Sequence, residues 1–73
     1  MNASLDWDAT YEIALAIFKA HPNVEPEETS LELLYQWVLN LPGFDDDPVF
    51  GSDEILAAIY QEWYEIILDN QNR

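Results

Sequence analysis

Three consecutive carboxylates, Asp45-Asp46-Asp47, are the residues of this sequence best suited to chemistry. They cannot neutralise one another, so each raises the negative potential at the next. A hard, oxygen-seeking cation such as Fe, Mn, Mg or Ca relieves that repulsion. Consecutive side chains diverge, however, so one cation meets at most two of them plus water. The plainer reading is that one Asp caps a turn before Pro48 while the others are solvated. The run is not an EF-hand, because the alternating oxygen ligands and closing Glu of that loop are missing.

A second acidic field comprises Asp6, Asp8, Glu12, Glu25, Glu27 and Glu28. Asp8 and Glu12 are four residues apart and share a helical face, where they repel each other. Should the connection carrying Glu25, Glu27 and Glu28 fold back, these carboxylates converge on a shallow cation site; otherwise they form a solvated face. Candidate metal ligands are therefore Asp8, Glu12, Asp45, Asp46 and Asp47. Either field serves equally well as a docking surface for a basic protein, which needs long-range attraction and a few close pairs. The candidate partner contacts are Asp8, Glu12, Glu25, Glu28, Asp45 and Asp46, together with Tyr35 as a partly exposed ring. Tyr64 is a similar ring candidate, whereas Trp37 and Trp63 sit at core spacing. His21, the single histidine, has Glu25 nearby in sequence, but a place at a helix C-terminus accounts for it more simply.

Catalysis finds little footing. The chain has no Cys, one Lys and one His, with no nucleophile set beside that His. A carboxylate pair can do acid–base work only if one member is pushed into an apolar pocket, and nothing in the sequence marks one. An enzyme is not expected.

The charge balance defines the partners. Fifteen Asp and Glu face only Lys19 and Arg73, for a formal net charge of −13. The resulting field repels nucleic acid and anionic membrane surfaces and attracts cations and basic proteins. With 73 residues there is room for one domain, spanning 1–73. Three Trp, four Tyr and three Phe supply the core that a disordered acidic tail would lack. Absent cysteine, a basic leader and a long apolar run, the expectation is a soluble cytoplasmic monomer without disulfides.

The elements that must position the acids read as three helices and two Pro-bearing loops, an all-α domain of the helix-turn-helix kind. The first helix opens near Asp8 as its cap, carries Ile13, Ala14, Ile17 and Phe18 on one face, and stops at His21-Pro22. Asn23-Val24-Glu25-Pro26 is an extended turn, and the connection 24–28 holds what little strand there is. Thr29-Ser30-Leu31-Glu32 reads as a capping box, and Leu33, Leu34, Trp37, Val38 and Leu41 follow on one broad face, ended by Pro42-Gly43. The third helix opens at Ser52 with Asp53 and Glu54 in its first turn. It runs through Ile55, Leu56, Ile59, Trp63, Ile66 and Ile67 and is the central element. Residues 1–6 and 69–73 are expected to be mobile.

The ordered pattern Trp7, Glu12-Ile13, Pro22, Pro26, Gln36-Trp37, Leu41 through Phe44-Asp45-Asp46-Asp47-Pro48, then Ile55-Leu56, Ala58-Ile59 and Trp63 closely resembles the IscX (YfhJ) family. The resemblance spans roughly residues 7 to 65, and its most specific piece is the Phe-Asp-Asp-Asp-Pro loop. It implies a small helical domain similar to a winged helix, without a DNA-reading role, that accompanies iron–sulfur cluster assembly. It further implies docking on a basic surface of the cysteine desulfurase, weak binding of Fe(II) or Fe(III) through exposed carboxylates, and no organic cofactor. The sequence departs from relatives at three positions. Lys19 stands at an acidic position, Tyr35 where a His can occur, and Leu39 where a Cys can occur. Iron ligation through nitrogen or sulfur at those two places is therefore absent. The alternative reading is an acidic interaction module for a basic partner with no specific metal.

Overall fold

The computed structural model describes residues 5–71. Three helices form the domain: α1 (Thr10–Ala20), α2 (Leu31–Leu39) and α3 (Asp53–Gln71). Short 3-10 turns, Pro26–Glu28 and Pro48–Phe50, punctuate the two connections. The apolar positions anticipated from helical spacing supply the core: Ile13, Ile17, Leu34, Val38, Ile59 and Trp63 are fully buried. Helix α3 packs chiefly on α1 and also on α2, while α1 and α2 touch least, so α3 is the central element as expected. The all-helical class holds. Extended pairing among the described residues is limited to one parallel bridge, Leu5 to Phe44, and these residues form no hairpin wing.

Local chemistry differs from the sequence reading at both helix starts. Asp8 does not cap α1; the N-cap is Ala9, with no side-chain hydrogen bond. Instead Asp6 shapes the entry: its Oδ1 accepts from the Asp8 amide at 3.1 Å and its carbonyl from the Ala9 amide at 3.0 Å. The expected capping box is displaced by one residue. Ser30 is the cap of α2 and its Oγ accepts from Leu33 N at 3.1 Å. With Ser30 in that place the third helical position is Leu33, which has no carboxyl to return the bond. Thr29 is buried, and its Oγ1 donates to the Glu25 carbonyl at 3.0 Å.

Leu33, expected on the buried face, turns outward to 40% exposure, while Leu34 and Val38, four apart, face in. Helix α2 stops at Leu39, not Leu41, with Asn40 as its C-cap, and Gly43 at φ 88°, a conformation that favours glycine, turns the chain farther on. Where a little strand was expected, Pro26 starts a 3-10 turn. Tyr60 anchors that turn to α3 by donating its hydroxyl to the Pro26 carbonyl at 2.8 Å. Helix α3 opens after Ser52, whose Oγ accepts from Ile55 N, and continues through Asp69 to Gln71. Of the ends expected to be mobile, 1–4 and 72–73 lie outside the described residues, and Leu5 and Asp6 take part in the pairing described next.

Candidate docking surface

The N-terminal arm, 5–8, is laced to the acidic loop. Leu5 N donates to the Gly43 carbonyl at 2.9 Å, and Asp45 N donates to the Leu5 carbonyl at 2.8 Å. Two residues along the arm and one along the loop, Trp7 N donates to Asp46 Oδ2 at 3.1 Å. The Trp7 indole Nε1 donates to the Asp47 carbonyl at 2.8 Å. These bonds join segments about forty residues apart and tie the arm that carries Asp6 and Asp8 to the loop that carries Asp45, Asp46 and Asp47.

Beneath the loop lies an aromatic pedestal. Trp7 is 2% exposed, stacks in parallel with Tyr35 (6.0 Å between centroids, 6° between planes) and meets Phe44 edge-on at 4.9 Å. Gly51 closes the loop from the other side. A methyl group added there would lie 2.6 Å from the Trp7 ring and 2.9 Å from Tyr35, so only glycine leaves the rings room.

Inside the loop the carboxylates hold backbone. Asp46 Oδ1 accepts from Asp47 N at 2.7 Å, and Asp47 Oδ1 accepts from Val49 N at 3.1 Å, capping the 3-10 turn before which it stands. The turn-capping reading of the Asp run therefore applies to Asp47, and Asp46 has both oxygens engaged. Asp45 and Asp8 are exposed, as is Glu12 in the first turn of α1. Among the described residues no three His, Cys, Asp or Glu side chains gather to hold a metal ion.

The second field does not converge. Glu25 and Glu28 are exposed on the connection that follows α1, about one helix length, roughly 16 Å, from the Asp8 end. Lys19 occupies the last turn of α1, away from Glu12 in the first. Tyr35, anticipated as a partner contact, is half-buried. Its ring lies on Trp7, and its hydroxyl donates to the Pro48 carbonyl at 3.0 Å. His21 follows α1 as expected, with its amide on the Ile17 carbonyl at 2.8 Å and its ring stacked on Trp37 at 4.1 Å. Two features escaped the sequence reading. One is the part Trp7 plays in fastening the loop; the other is the exposure of Val49 and Phe50, whose only signal was an apolar pair between Pro48 and Gly51.

This arrangement binds a loop of like charges to an aromatic base and aims them outward, which suits attraction more than proton transfer. The model of the iron–sulphur cluster assembly family matches residues 5–67, a span that includes the arm, the loop and all three helices. The chain belongs to this family, that of the IscX proteins. An uncharacterized protein of Pseudomonas aeruginosa is similar, at 37% identity over 62 residues, which cover 85% of this chain and 94% of the relative. Membership gives the chain a role in iron–sulphur cluster assembly, in an accessory family that is not a known catalytic one. Among the described residues no helix is long and apolar enough to cross a membrane.

Proposed function

We propose that the joined arm and loop dock on a basic surface of the cysteine desulfurase of the assembly machinery and so modulate cluster assembly. One observation carries the reading: the arm that carries Asp6 and Asp8 is fastened to the loop that carries Asp45, Asp46 and Asp47, on a chain of net charge −13. Like charges held together in this way repel one another until a cationic surface covers them, so association is fast and salt-sensitive. Glu12, exposed in the first turn of α1, is the next acid along the chain after the arm.

Iron enters this reading as weakly held cargo. With Asp46 and Asp47 already bonded to backbone, Fe(II) or Fe(III) meets Asp8, Glu12 and Asp45 singly and keeps most of its water. The absence of a three-ligand group among the described residues favours, as second reading, an acidic module that docks without any specific metal.

The decisive experiment is desulfurase binding by calorimetry with Asp8→Lys/Asp45→Lys, two exposed positions whose side chains support no backbone bond described above. Affinity is expected to fall roughly tenfold or more, and wild-type binding to weaken with added salt. Binding indifferent to both reversal and salt overturns the electrostatic reading. In the same preparation, Fe(II) and Mg(II) titrations followed by amide shifts separate the two metal readings. Iron-selective shifts at Asp8, Glu12 and Asp45 support cargo binding, and equal diffuse shifts support the metal-free module.

A further inference from the structure

Val49 and Phe50 are the most exposed large apolar residues among those described, at 75% and 61%, and they are adjacent. An apolar pair in water is ordinary on a loose loop. This pair is not on one. It rides the 3-10 turn Pro48–Phe50, whose every support is fixed: Asp47 Oδ1 caps the Val49 amide, and Phe50 N donates to the Asp47 carbonyl at 3.1 Å. Gly51 N donates to the Pro48 carbonyl at 3.0 Å, and that same carbonyl accepts from the Tyr35 hydroxyl. The Trp7 indole holds the Asp47 carbonyl from below. The pair is thus presented as a rigid knob, so little ordering entropy remains to be lost when it inserts into a partner.

We propose that Val49 and Phe50 form the apolar anchor of the docking surface, and that its occupant is a recess in a basic protein surface, apolar at its floor and rimmed by Lys or Arg. This rests on the docking reading above and deepens it. The choice of occupant follows from charge complementarity. Immediately before the knob stand Asp45, Asp46 and Asp47, and the arm adds Asp6 and Asp8. A second copy of this chain would bring its own net −13 against them, and an anionic bilayer is repelled for the same reason. An apolar centre ringed by charged residues that exclude water is the arrangement in which one or two side chains carry most of the affinity. The acids set the rate and direction of approach; the knob sets how long the complex lasts.

The two contributions differ in salt dependence, and this makes the proposal testable apart from the reading beneath it. Desulfurase affinity is measured across a salt series for wild type, for Val49→Ser/Phe50→Ser and for the control Leu68→Ser, an exposed apolar residue of α3. The knob variant is expected to bind on the order of thirtyfold more weakly at every salt concentration, with the slope against salt unchanged. Leu68→Ser is expected to bind like wild type. Circular dichroism of the knob variant should match wild type, since both side chains lie outside the core. If it does not, Phe50→Gln, which keeps a stem at that place and adds no charge, must show the same loss. Wild-type affinity in the knob variant, with salt and charge reversal still effective, removes the anchor and leaves electrostatic docking standing. No wild-type binding at any salt removes both. Equal losses in the control and knob variants, or a wild-type dimer abolished by Phe50→Ser, overturn the assignment to a basic partner.

Discussion

Two buried tryptophans do opposite work. Trp63, in α3, is fully buried at the centre of the core, meets Trp37 and Tyr60 edge-on, and its indole N–H has no hydrogen-bond partner among the described residues. Trp7, in the arm, is almost as buried, yet its backbone and indole N–H groups both bind the acidic loop. The first is used for volume and tolerates an orphan donor that costs about 1–3 kcal/mol. The second is used as a fastener, since a ring with a polar handle can hold an irregular loop where no helix or sheet does. The core makes the domain; the arm–loop junction makes the surface, and the two should fail separately.

The largest effect is expected in the core. Trp63→Ala should cost about 3–5 kcal/mol, comparable with the whole stability of so small a domain, so helical circular dichroism collapses without denaturant. Trp63→Phe, which also removes the orphan N–H, should stay folded. If Trp63→Ala keeps a cooperative native melt, the core is less dependent on this ring than its burial implies. Next comes Gly51→Ala, whose methyl group forces the Trp7 and Tyr35 rings to move and should cost about 1–3 kcal/mol. Here the helices should persist while the Trp7 indole N–H loses protection from hydrogen exchange. Equal loss of protection in the amides of α1 and α3 would mean that the junction is not a separate unit.

This division also explains what the sequence made readable. The helices announce themselves because Ile13, Ala14 and Ile17, or Leu56, Ile59, Trp63 and Ile67, repeat with the helical period, a local signal. The caps were less legible: the sequence pointed to Asp8 and Thr29, but Ala9 and Ser30 stand at the two helix starts, because the choice depends on where the chain is pinned elsewhere. The junction has no period at all. Trp7 meets Asp46 and Asp47 across thirty-nine and forty residues, and nothing in the neighbourhood of Trp7 points to the acidic loop as its partner. The acidic loop itself was visible as chemistry. Its union with Asp6 and Asp8, and its separation from Glu25 and Glu28, needed the fold.

The smallest effect probes how the junction balances its own repulsion. Asp46→Ala removes the acceptor for both Trp7 N and Asp47 N, a loss of about 1–3 kcal/mol if nothing offset it. It also deletes one of five clustered negative charges, which returns part of that loss at low salt. The net destabilisation in denaturant should therefore be about 1 kcal/mol at low ionic strength. It should grow as salt is raised, because screening removes the relief of repulsion and leaves the missing hydrogen bonds. Asp46→Asn keeps an acceptor oxygen and should sit between the two. A destabilisation that shrinks with salt would mean that the carboxylate acts chiefly through its charge. The loop would then be held by the Trp7 indole, the aromatic stack and the backbone bonds of Leu5.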